Sequence, residues 1–156
     1  MARRRRAERR EPTPDPRYGS ALVKRLINQV MRRGKKTVAE NIVYGALEEV
    51  REKLGEDEVQ VLQQAIDNVK PRVEVKSRRV GGATYQVPIE MSRERQLALA
   101  MRWVIGYSTS RKGVPMGVAL ARELMDAYKG EGDAIKKRDE THKMAQANRA
   151  FAHYRW

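Results

Sequence analysis

The chain has 156 residues, 40% of them apolar, and carries 33 Lys and Arg against 20 Asp and Glu, for a net charge of +13. That length allows one domain, or at most two small ones, around a core that buries roughly 68–70% of the surface, and the basic excess points to a polyanion: nucleic acid or an anionic membrane surface. The absence of Cys excludes disulfides, thiol catalysis, Cys-ligated zinc and iron–sulfur clusters, and His142 and His153 alone leave little for a histidine metal cage or a proton shuttle.

Residues 1–17 read as an extended arm, because Arg3, Arg4, Arg5 and Arg6 repel one another and Pro12, Pro14 and Pro16 exclude regular helix. No apolar run follows this basic start, so a secretory leader is not expected. Nor does any run in the chain approach the roughly 20 apolar residues of a membrane span. Ser20 suits an N-cap, and Leu22, Val23, Leu26, Ile27, Val30 and Met31 form the stripe of a first helix that Gly34 stops. Thr37 followed by Glu40 reads as a capping box for a second helix, which buries Ile42, Val43, Ala46, Leu47, Val50 and Leu54 and ends at Gly55. Asp57 can cap a third helix with Val59, Leu62, Ala65, Ile66 and Val69 on one face, and Pro71 ends it at Lys70.

The period then changes from helical to two. Two alternating runs over about 72–90, joined by Gly81-Gly82, predict a β-hairpin with a tight primed turn, and Pro88 needs an edge where no ladder donor is required. With a two-residue loop, Arg78 pairs with Tyr85 and Lys76 with Val87. One face then offers guanidinium, aromatic ring and aliphatic stem to a folded nucleic acid. The plainer reading is an exposed edge guarded by charge, but Arg72, Lys76, Arg78 and Arg79 face only one acid in that strand, Glu74. An isolated hairpin is marginal in water, so this one is expected to stand off the body and be steadied by its partner.

Helical spacing returns after Ser92, with Leu97, Ala100, Met101, Val104 and Ile105 as a fourth stripe. Residues 108–113 read as a loop, Pro115 suits a first helical position, and Leu120, Ala121, Leu124, Met125 and Tyr128 form a fifth stripe. Gly130 and Gly132 break the chain, and Asp133 can cap a sixth helix. Gly45, Gly106 and Gly117 interrupt helical patterns and suggest close packing. Trp103, Phe151 and Trp156 read as packing residues rather than base platforms. The fold is therefore mainly α: a six-helix domain over 18–156 with a protruding two-stranded antiparallel β-hairpin and an extended basic N-terminal arm.

The charge is segregated. Residues 1–36 carry +10, residues 37–69 carry −6, and residues 70–95 carry +4. A one-faced electrostatic footprint produces such blocks, and solubility alone does not need them. Arg93, Arg95 and Arg102 begin the fourth helix beside the hairpin's return and can extend its basic surface. There is no P-loop or dinucleotide fingerprint, and Gly81-Gly82 lies at a hairpin tip rather than a strand–helix junction. Glu48 and Glu49 read as a solvated face, and His142 as exposed without a catalytic or metal role. No catalytic residue, metal site or cofactor is expected. A DNA-bending protein with basic β-arms is the alternative, but such arms carry an apolar wedge where this one has two glycines. A membrane-surface protein lacks its basic amphipathic stripe here.

The run Val69-Lys-Pro-Arg-Val-Glu-Val-Lys-Ser-Arg-Arg-Val-Gly-Gly-Ala-Thr-Tyr-Gln-Val-Pro88 closely resembles the hallmark of the bacterial small-subunit ribosomal protein seven family. The arginine-rich start, Met31-Arg-Arg-Gly-Lys-Lys36 and the ending Ala147-Asn-Arg-Ala-Phe-Ala-His-Tyr-Arg-Trp156 look like the same family. The resemblance implies a non-enzymatic, cytoplasmic ribosome constituent with six helices and a hairpin. It implies primary binding of 16S rRNA in the 3′ major domain and nucleation of the subunit head. It also implies a place near exit-site tRNA and the exiting mRNA, beside ribosomal proteins nine and eleven, with neither membrane nor DNA as partner. Carried over by position, rRNA contacts are expected from Arg3, Arg4, Arg5, Arg6, Arg9, Arg10, Lys35, Lys36, Arg72, Lys76, Arg78, Arg79, Arg93, Arg95 and Arg102. Gly81, Gly82, Tyr85, Arg149, Tyr154 and Arg155 are expected near tRNA or mRNA.

Overall fold

The computed structural model describes residues 13–154. Six α-helices, α1 (Ala21–Val30), α2 (Lys36–Leu54), α3 (Glu58–Val69), α4 (Arg93–Ser110), α5 (Met116–Tyr128) and α6 (Asp133–Ala147), surround one core. Between α3 and α4 runs a hairpin of β1 (Val73–Val80) and β2 (Ala83–Glu90), and a 3₁₀ helix, Arg149–Tyr154, follows α6. Helix α5 is central and touches α2, α3, α4 and α6. The apolar stripes converge there: Leu26, Ile27, Leu47, Leu62, Ile66, Met101, Leu120 and Leu124 are all buried. Full burial of each such side chain stabilises by about 1.5–3 kcal/mol before entropy is counted.

Several predicted helix ends hold. The Ser20 hydroxyl accepts from Val23 N–H, and the Asp57 carboxylate accepts from Val59 N–H at 2.9 Å. Gly55 closes α2 in the left-handed conformation, φ +71°, with its N–H on the Arg51 carbonyl.

Others are corrected. Helix α2 starts at Lys36, with Lys35 as N-cap and no side-chain cap, so Thr37 and Glu40 form no capping box. Glu40 instead lies 3.6 Å from Lys36 Nζ and 4.0 Å from Lys24 Nζ. Helix α4 runs three residues into the expected loop, to Ser110, where Ser108, Thr109 and Ser110 each donate a hydroxyl to a carbonyl of the preceding turn. Pro115 is the N-cap of α5 rather than its first residue, and Gly132 rather than Asp133 caps α6. Close packing holds only at Gly117, whose missing Cβ would lie 3.5 Å from the Ile42 carbonyl; Gly45 and Gly106 face open space.

The hairpin register is the predicted one: Arg78 opposite Tyr85, Lys76 opposite Val87, and Val80 opposite Ala83. Gly81 and Gly82 supply φ of +58° and +89° for the primed turn. Its tip is exposed but its root is not free of the body, since α6 packs against β1 and the 3₁₀ helix against β2. The chain steadies its own hairpin.

Candidate nucleic-acid interface

The hairpin root is tied by charge. Glu74 is 9% exposed and accepts both Nε and Nη2 of Arg95 at 2.6–2.8 Å, with Lys76 Nζ at 3.4 Å. Burial would raise the Glu74 carboxyl, but the Arg95 hydrogen bonds and charge, then Lys76, outweigh it and hold the group below its ordinary value. The fork of Arg95 thus fixes the first turn of α4 to β1. On the other side, Arg72 N–H donates to His142 Nε2 at 3.1 Å. His142 is half-buried rather than exposed. Burial first, then the nearby Arg138 charge, depresses its pKa and keeps the ring neutral as an acceptor.

The face carrying Lys76, Arg78, Tyr85 and Val87 is less open than the sequence suggests. Val87 is fully buried. The Tyr85 ring lies 5.2 Å from Phe151 and 5.1 Å from Tyr154, so the C-terminal 3₁₀ helix covers it. Tyr85 and Tyr154 therefore belong to one half-buried ring cluster, with Arg149 exposed beside it and Arg79, Gly81 and Gly82 exposed at the tip. No local signal could reveal this contact, because its two sides lie more than 60 residues apart.

From the root the basic surface follows α4. Arg95 and Arg102 are seven residues apart and so share a helix face, while Arg93 is exposed at the first turn. Arg102 lines a groove shared with Gln29 and Arg32. Arg32 also lines an adjoining cleft of 280 Å³ together with Lys35, Arg111, Ile42 and Ile105. Lys35 and Lys36 are exposed at the start of α2. Arg32 thereby joins Lys35 to Arg102, a role that sequence reasoning missed. Its only signal was membership of the Met31-to-Lys36 run. Arg111 was missed as well. It donates to Glu123 at 2.6 Å and Asp126 at 2.9 Å while lining the same cleft.

The family profile described as Ribosomal protein S7p/S5e matches residues 2–149. The chain belongs to this family. It is 58% identical to the small ribosomal subunit protein uS7 of Thermotoga neapolitana over 154 residues, 99% of each chain. It is 55% identical to that of Anaeromyxobacter dehalogenans over 156 residues, 100% of each chain.

Members of the S7p/S5e family are structural, non-enzymatic proteins of the ribosome's small subunit. No catalytic role therefore falls to the clustered cations here. The S7 family reading also covers residues that the structure leaves aside: Arg3, Arg4, Arg5, Arg6, Arg9, Arg10, Arg155 and Trp156 lie outside the described residues.

Proposed function

We propose that this chain is a primary 16S rRNA-binding protein that nucleates the head, or 3′ major domain, of the small ribosomal subunit in the cytoplasm. What supports this reading best is the set of cations at the hairpin root, Lys76 and Arg95, with Arg102 on the same face of α4 and, across one groove from Arg102, Arg32, which shares a second cleft with Lys35. Such a concave, mixed basic and apolar surface suits folded RNA, with phosphates on guanidinium and ammonium groups and sugars on aliphatic floor. Arg93, Lys36, Arg78 and Arg79 add to its edges, and the arginines of residues 1–12 extend it. Arg95 acts twice: half of its side chain is exposed to RNA while its fork holds Glu74.

The hairpin tip at Gly81 and Gly82 and the ring cluster of Tyr85 and Tyr154, with Arg149 and Arg155, then face exit-site tRNA and the exiting mRNA. Ribosomal proteins nine and eleven are the neighbours. The test is competition: the full chain is titrated with a 16S 3′ major domain fragment and with random duplex DNA of equal length, at one salt concentration. Binding the RNA at least about a hundredfold more tightly is expected, within the range by which specific sites exceed non-specific ones. Equal affinities would return the DNA-bending alternative.

A further inference from the structure

The 280 Å³ cleft that Arg32 and Lys35 share is largely apolar, with Val38, Ile42, Ile105 and Met116 among its lining. Val38 is 51% exposed, and among the described residues only Met144, at 48%, is a comparably open large apolar side chain. A β-branched residue lowers helix propensity, and one left in water gains nothing from burial, so nothing within α2 calls for valine there. Ser108 and Thr109 line the cleft as well, but both hydroxyl protons go to carbonyls of their own helix, at 2.7 and 2.8 Å. Thr109 Oγ1 therefore faces a ligand as an acceptor.

The charge around this apolar space is unevenly matched. Arg111 is held by Glu123 and Asp126. The first acid along α2, Glu40, is shared by Lys36 and Lys24, and among the described residues Arg32 and Lys35 pair with no acid. The occupant that complements the cleft thus has an apolar body between negative charges. Its volume is near the lower end of the roughly 300–1,000 Å³ of small-ligand clefts, which suits one ring system and not a helix. In a single-stranded stretch of RNA every base lies between two phosphates, and proteins read such bases once they are unstacked. We propose that this cleft takes one unstacked nucleobase of the folded RNA, packed against Val38, Ile42 and Ile105, with its flanking phosphates on Arg32 and Lys35. The inference rests on the RNA-binding reading above and adds to it a contact with a base where that reading has phosphates and sugars.

The experiment fills the cleft without changing its charge, from α2 by Val38→Phe and from α4 by Thr109→Phe, both at exposed positions. Affinity of the full chain for the 16S 3′ major domain fragment is measured against salt, and the bound RNA is probed at its base edges with dimethyl sulfate and a carbodiimide. Each variant is expected to bind about tenfold more weakly, within what the loss of one packed base costs, with the salt slope unchanged because no cation is removed. An unpaired base protected by the parent should become reactive with both variants. Making that nucleotide abasic should weaken the unaltered chain equally and reduce the effect of Val38→Phe to less than about twofold; this arm holds even if a variant lowers the melting temperature. Affinity and base protections unchanged in both variants, or weaker binding with no base exposed, overturn the base site and leave RNA binding standing. A parent that binds the fragment no more tightly than random duplex DNA overturns the RNA reading itself, and the base site with it.

Discussion

Glu123 has no exposed surface, and its two oxygens do different work. Oε1 accepts Ala134 N–H at 3.0 Å, and Oε2 accepts Arg111 at 2.6 Å. A side chain of α5 therefore caps α6, placing negative charge at the positive end of that helix. Gly132 makes the approach possible: it turns with φ +92°, and a Cβ there would meet Asp126 Cβ at 3.0 Å. Removing the carboxylate leaves the Ala134 N–H unpaired and Arg111 with Asp126 alone. Glu123→Ala is expected to cost about 1–3 kcal/mol in urea unfolding, while Glu123→Gln, which keeps an acceptor, should cost less. Equal midpoints for Glu123→Ala and the parent would contradict this. The cap was illegible in the sequence because Asp133 offers the local signal, while the group that caps lies ten residues upstream on another helix. His142 was read as exposed for the same reason: its partner, Arg72 N–H, lies just before the hairpin, far along the chain.

At the scale of elements, the hairpin divides into a root that belongs to the body and a tip that does not. Its register was legible because alternation and a Gly-Gly turn leave little choice, and a one-residue slip of β2 would bring Pro88 opposite Lys76, to the face now occupied by Val87. What alternation cannot reveal is which side is covered. That depends on Phe151 and Tyr154 arriving from the far end of the chain. Replacing residues 79–84 by Gly-Gly keeps the pair Arg78 and Tyr85 and removes a tip that is exposed apart from the half-buried Val80. Affinity for the rRNA fragment should then fall by no more than about threefold, since a single phosphate contact is at stake. Subunit heads should assemble, while ribosomes carrying the shortened hairpin should show altered exit-site tRNA occupancy and reading-frame errors. Failed head assembly with normal tRNA behaviour would reverse the assignment of root and tip.

Across the whole molecule, the charge blocks along the sequence become sides of a body. The acidic residues 37–69 fall on α2 and α3, where Glu48 pairs with Arg17, Glu49 with Lys53 and Asp67 with Lys70. Among the described residues, Arg95, Lys76, Lys36 and Arg111 at the hairpin root and around the cleft also hold acidic partners. The helix count and stripes were legible because apolar spacing specifies them. The groove that Arg32 and Arg102 share was not, because they meet only once α1 packs against α4. That these cations bind RNA together is the central claim, and the salt dependence of binding tests it most directly. With about six to eight phosphates neutralised, log affinity for the 16S 3′ major domain fragment should fall against log salt with a slope of roughly −4 to −7. Arg32→Gln with Arg102→Gln should make that slope shallower by about 1.5–2. A slope near zero for the parent, or one that the double substitution leaves unchanged, would contradict the account.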